Sequence, residues 1–126
     1  MELKTVILEC PDPAALCRFY QKLLQWPLVF QESGFLRLQS PYTGMGIGFQ
    51  QNEAYIPPIW PEEPGRQQMM AHLDFGVASR EEMQDAVEKA LRLGAEYAKA
   101  QYGGQDWTTM LDPAGHPFCF VLWEEA

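Results

Sequence analysis

Cysteine is scarce in this 126-residue sequence: Cys10, Cys17 and Cys119 are the only three, and no two form a Cys-x-x-Cys pair. An odd number at unrelated spacings builds neither a disulfide framework nor a closed zinc site, which points to a reducing compartment. Basic residues are also few, nine against 17 acidic, for a net charge of −8. Neutralising phosphates takes clustered Lys and Arg, so neither nucleic acid nor a membrane surface is an expected partner. No segment approaches the roughly 20 apolar residues of a membrane span. Met1-Glu2-Leu3-Lys4 opens the chain without the basic stretch and apolar run of a secretory leader, so a cytoplasmic protein is expected. What the chain does hold is apolar material, 47% hydrophobic and 13% aromatic, enough to build the core of one domain without staples.

Two amphipathic helices stand out. Asp12 is placed as an N-cap with Pro13 at the first helical position. Leu16, Phe19, Tyr20, Leu23 and Leu24 then form one apolar stripe at helical spacing. Ser79-Arg80-Glu81-Glu82 reads as a capping box for a second helix, with Met83, Ala86, Val87, Ala90 and Leu91 as its stripe and Gly94 as its stop. One constant interval separates the two sets: the step from Asp12 to Ser79 is the same as from Leu16 to Met83, Phe19 to Ala86, Tyr20 to Val87, Leu23 to Ala90 and Leu24 to Leu91. The preceding strands, Leu3 to Cys10 and Met70 to Val77, keep that interval, and Val6, Leu8 and Cys10 match Leu73, Phe75 and Val77 on the face expected to meet the helix.

Three strand-like runs follow each helix: about 27–31, 35–39 and 45–51 in the first half, and about 96–102, 107–111 and 117–123 in the second. Each half therefore reads β-α-β-β-β. The turns Pro41-Tyr42-Thr43-Gly44 and Asp112-Pro113-Ala114-Gly115 precede the last strand of each half and carry Pro and Gly where tight turns need them. Between the halves, four prolines at 57, 58, 61 and 64 mark an extended linker. The expected organisation is one domain over 1–126, with module one at 1–52, linker at 53–68 and module two at 69–126.

The doubled β-α-β-β-β pattern, the Asp12-Pro13 helix start with Phe19-Tyr20, the His72-Leu73-Asp74-Phe75 strand and Asp112-Pro113-Ala114-Gly115-His116 before a terminal strand resemble the vicinal oxygen chelate superfamily. That superfamily includes glyoxalase I, bleomycin-resistance proteins and extradiol dioxygenases, and the resemblance covers essentially the whole chain. It implies an α+β fold of two tandem βαβββ modules forming a curved mixed sheet, with a ligand cleft between the modules, helices outside and often a homodimer. In metal-using members each module supplies one ligand from its first strand and one from its last. The repeat places those positions at Thr5 and Gly48, and at His72 and Cys119. Only His72 and Cys119 among these suit a divalent metal, so the ligand set is degenerate and no cofactor is expected.

The function this implies is binding of a small, partly aromatic molecule without a catalytic metal. The alternative is a metal-dependent lyase, isomerase or dioxygenase, which as an enzyme would be lactoylglutathione-lyase-like or dioxygenase-like. His72 reads as a hydrogen-bonded cleft residue, or as a ligand contact and the best candidate for a catalytic base. Asp74 shares its face and can orient the imidazole or serve as a structural acceptor. Cys119, with no Lys or Arg beside it, reads as a buried inert thiol. His116 is expected to bond the turn backbone and Glu9 to lie solvated at the cleft rim. The aromatics Phe35, Tyr55, Trp60, Tyr102 and Trp107 fall outside both helical stripes, in segments that the fold would place around the cleft or its linker edge. Gln50, Phe35, Trp60, Trp107 and Cys119 complete the candidate ligand contacts beside His72 and Asp74. Tyr55 and Trp60 either close over a ligand or meet a second subunit.

Overall fold

In the computed structural model, which describes residues 1–123, the chain divides into two compact units, Met1–Tyr55 and the residues from Ile56 onward. The first unit runs β1 (Thr5–Cys10), α1 (Pro13–Leu24), β2 (Leu28–Glu32), β3 (Phe35–Gln39) and β4 (Gly46–Gln51). The second runs β5 (Leu73–Val77), α2 (Arg80–Arg92), β6 (Glu96–Tyr97), β7 (Trp107–Leu111) and β8 (Pro117–Leu122). Their sheets have the same order, β1-β4-β3-β2 and β5-β8-β7-β6. In each, the first strand pairs in parallel with the last and the other pairings are antiparallel, so both sheets are mixed.

Both helices start where their caps place them. The Asp12 carboxylate accepts from Ala15 N at 3.1 Å, and Ser79 Oγ accepts from Glu82 N at 3.0 Å. The return bond from Glu82 reaches Ala78 N, one residue earlier than an ideal capping box. Gly94, at φ +112°, follows α2 with Ala95 N donating to Ala90 O and Gly94 N to Leu91 O, a Schellman closure that needs a left-handed residue. Helix α1 ends instead at Gln25 in the left-handed region. Its stripe buries Leu16, Phe19 and Tyr20, and the Tyr20 ring stacks on Phe49 of β4 at 5.7 Å. Along α2, Met83 and Ala90 are buried, but Leu91 is exposed because it falls at the edge of the stripe.

The repeat extends to pairing register. Ile7 faces Gly48 as Asp74 faces Cys119, and Arg37 faces Gly48 as Thr109 faces Cys119. The interval from Arg37 to Thr109 is thus one position longer than that from Gly48 to Cys119. This change arises in the hairpin, where Ser40 N bonds Met45 O but Asp112 N bonds His116 O, closing the second turn one position sooner.

β1 begins at Thr5, not Leu3, and two strands of the second unit are shortened more. β5 begins at Leu73, not Met70, because Met70 adopts φ +62° and Ala71 N turns back onto Met69 O. β6 stops at Tyr97 because the Gln101 side chain takes over the sheet edge, donating to Ala98 O and Thr109 O at 2.7 Å and accepting from Thr109 N at 2.9 Å. His116 also differs from expectation: its Nδ1 lies 2.8 Å from the buried carboxylate of Asp112, a side chain of the same turn. Among the described residues, no helix is long and apolar enough to cross a membrane.

Candidate functional site

Alternation along the strands of the second unit creates its two faces. Thr108, which donates to Met83 Sδ at 3.3 Å, lies toward α2 with Phe118 and Phe120. Thr109, Cys119 and Asp74 take the opposite face, where a cavity of about 330 Å3 opens. Pro117, Cys119 and Val121 of β8 form its floor with Thr109 of β7. His72 and Asp74 border one side; Trp60, Met69, Tyr102 and Trp107 supply the remaining wall. Trp60 is held by its indole N–H to Ala100 O at 3.2 Å and meets Tyr102 edge to face, with centroids 5.8 Å apart. Trp107 packs directly on Gly103: a Cβ added there would lie 2.5 Å from the indole, so only glycine allows that approach.

His72 Nε2 lies 3.1 Å from Asp74 Oδ1 in a partly exposed pair. Cys119 is buried on the floor with its Sγ 3.3 Å from Thr109 Oγ1. Burial pushes the Cys119 thiol above its usual range; Asp74 adds to the rise through charge and hydrogen bonding, and the Thr109 hydroxyl opposes it. The arrangement keeps the sulfur protonated at neutral pH, the reverse of an activated nucleophile. Iodoacetamide should therefore modify Cys119 more slowly than a free thiol at neutral pH, with the rate climbing only at more alkaline pH. Asp74→Asn should speed it several-fold, read by mass spectrometry of the modified peptide; an unchanged rate would remove Asp74 from control of the thiol. Cys17, pushed by burial to about 11, should stay unreactive until the protein unfolds.

Of the seven candidate ligand contacts, the structure brings His72, Asp74, Trp60, Trp107 and Cys119 to this one pocket. Tyr102, one of the aromatics outside the helical stripes, lines it as well. Phe35 and Gln50 lie in the first unit, opposite each other on β3 and β4. Met69, Thr109, Pro117 and Val121 complete the lining and are not among the residues that sequence reasoning points to. Pro117 and Val121 follow from Cys119 by strand alternation, whereas Met69 comes from an irregular segment with no periodic signal. Glu9 accepts from Asn52 Nδ2 at 2.7 Å, so it is not simply a solvated carboxylate.

In the first unit the corresponding face is occupied by its own side chains. Arg37 lies over Gly46, donating from Nε to Thr5 Oγ1 at 2.7 Å, from Nη1 to Gln39 Oε1 at 2.7 Å and from Nη2 to Lys4 O at 3.0 Å. The Phe35 ring covers Gly48, where an added Cβ would come within 2.8 Å of it. This bears directly on the four-position metal set. Gly48 has no donor, and a guanidinium at hydrogen-bond distance from Thr5 repels a dication. That set does not fit a metal. The second unit does gather His72, Asp74 and Cys119, whose ligand atoms all lie within 4.8 Å of one another.

Two βαβββ units with matching mixed sheets, and a pocket on the sheet of the second, define a protein of the glyoxalase, bleomycin-resistance and dioxygenase fold. Residues 5–121 match the glyoxalase-like domain, and the chain belongs to that family, consistent with the vicinal oxygen chelate superfamily. A glyoxalase/bleomycin resistance protein/dioxygenase family enzyme from Burkholderia phytofirmans PsJN has a similar structure: TM-score 0.73, 24% identity, 95% of this chain and 97% of that one covered. A glyoxalase-related enzyme from Fulvimarina pelagi superposes at TM-score 0.72 with 16% identity, covering 98% and 88%. A possible glyoxalase from Bacillus cereus gives 0.70 with 14% identity, covering 96% and 98%. At these identities the likeness is one of fold. Comparison with curated proteins finds no match.

Proposed function

We propose that this protein binds a small, partly aromatic molecule in the pocket of its second unit, without a catalytic metal. The observation that carries the reading is the pocket's composition: aromatic and aliphatic walls from Trp60, Tyr102, Trp107 and Val121, with few polar groups among them. Small-molecule sites are built this way, and about 330 Å3 lies at the lower end of their range, suited to one or two rings. Titration with indole and 2-naphthol by isothermal calorimetry should give saturable binding, weakened about tenfold by Trp107→Ala. Absence of saturable binding, or binding indifferent to both Trp60→Ala and Trp107→Ala, would overturn the reading. Zn2+, Ni2+, Mn2+ and Fe2+ should leave the melting temperature almost unchanged, whereas a metal held at ~100 times its Kd would add about 2.7 kcal/mol.

A second reading, a metal-dependent lyase, isomerase or dioxygenase, has one observation in its favour: the convergence of His72, Asp74 and Cys119. Against it, the three donors differ in hardness, and the buried thiol must first lose its proton. A large metal-specific rise in melting temperature, with that metal in elemental analysis of unstripped protein, would select this reading. The homodimer also belongs to the proposal, supported by edge strand β2, whose Leu28, Val29 and Phe30 are all exposed.

A further inference from the structure

We propose that the second-unit pocket selects organic cations, that is, amines or quaternary ammonium groups carried on a small, partly aromatic body. This rests on the pocket being a ligand site and adds the charge of the ligand. The first ground is the charge inventory. Among the described residues lining the cavity, Asp74 is the only acid, and no Lys or Arg is present. The one basic side chain is His72, whose Nε2 lies 3.1 Å from Asp74 Oδ1 at the border of the cavity. Cys119 is held as a thiol by burial and by this same carboxylate, so it adds no second charge.

The second ground is the wall. Trp60, Tyr102 and Trp107 bring three aromatic rings to one small cavity, and the faces of such rings attract cations through the ring quadrupole. Trp60 is held before any ligand arrives by its bond to Ala100 O, and Trp107 packs closely on Gly103. A preorganised aromatic cage loses little entropy on binding. Desolvation then discriminates between ligands. The Asp74 side chain is about half exposed, and a neutral aromatic covering it would strip water from a carboxylate and return nothing. A ligand with a positive centre replaces that water with a charge of opposite sign. The net charge of −8 favours cations over anions at long range as well.

Calorimetry on the full chain with two isosteres, (3-hydroxyphenyl)trimethylammonium and neutral 3-tert-butylphenol, separates charge from shape. The cation should bind about tenfold or more tightly than the phenol. Asp74→Asn, at a half-exposed position, should keep the fold and reduce that preference to about threefold or less, mainly by weakening the cation. Equal affinity for the two, or a preference undiminished in Asp74→Asn, would overturn the charge assignment while leaving the pocket as an aromatic site. Failure of both to bind, together with failure of indole and 2-naphthol, would overturn the pocket reading and the cation selection with it.

Discussion

Replacing Phe118 with alanine is expected to destabilise the protein by about 3–5 kcal/mol, a large part of the roughly 5–15 kcal/mol available to a small domain. Phe118 is fully buried on β8, flanked by Leu73 of β5 and Met110 of β7. Its ring meets Phe120 at 5.5 Å and 90° and Phe75 at 6.1 Å and 72°, both edge to face. Removing it forfeits the transfer energy of a large apolar ring and two aromatic contacts. It also leaves a void that strands hydrogen-bonded on both sides of β8 cannot close, so the cavity cost persists. Phe118→Leu should lose much less, because most of the volume remains. Urea unfolding monitored by far-UV circular dichroism measures both. A loss below about 1 kcal/mol for alanine would mean that the second unit's stability resides elsewhere.

The helices were legible in the sequence because caps and apolar spacing are local signals. Asp12 and Ser79 each bond their own third residue on, whatever the rest of the chain does. Strand 35–39 was equally legible, its alternation being set by the burial of Leu36 and Leu38, and 107–111 has the bounds that the sequence suggests. What escaped sequence reading depends on partners distant along the chain. Gln101 ends β6 by bonding Thr109 with its side chain, which polarity does not foretell. Met70 adopts a left-handed backbone for which methionine carries no propensity, and so delays β5. At the candidate site, the repeat between the two halves located His72 and Cys119, which do converge with Asp74, the residue paired with Cys119 across the strands. The strand pairing matters chemically, since a carboxylate beside a thiol opposes formation of the thiolate.

The hairpin that shifts this register carries the second large expected effect: Asp112→Ala should cost about 2–4 kcal/mol. Its carboxylate is fully buried and accepts from Ala114 N at 2.9 Å, from His116 N at 3.0 Å and from the His116 ring at 2.8 Å. Alanine leaves those donors without their acceptor in a part-buried turn, and stranded donors cost more than a hydrogen bond contributes. Asp112→Asn keeps an oxygen for the two backbone N–H groups and should lose only about 1 kcal/mol. The first unit contains its own control. Ser40 holds the equivalent place, and its hydroxyl accepts from Tyr42 N and Thr43 N at 3.2 and 3.3 Å, longer bonds to a neutral oxygen. Ser40→Ala should therefore cost about 1 kcal/mol. Denaturant midpoints of the three variants test the difference. If Asp112→Ala and Ser40→Ala fall together, the charge and the His116 bond add nothing to the turn. If they separate as expected, the second hairpin, which leads directly into Pro117 and Cys119 at the pocket floor, is the more tightly held copy.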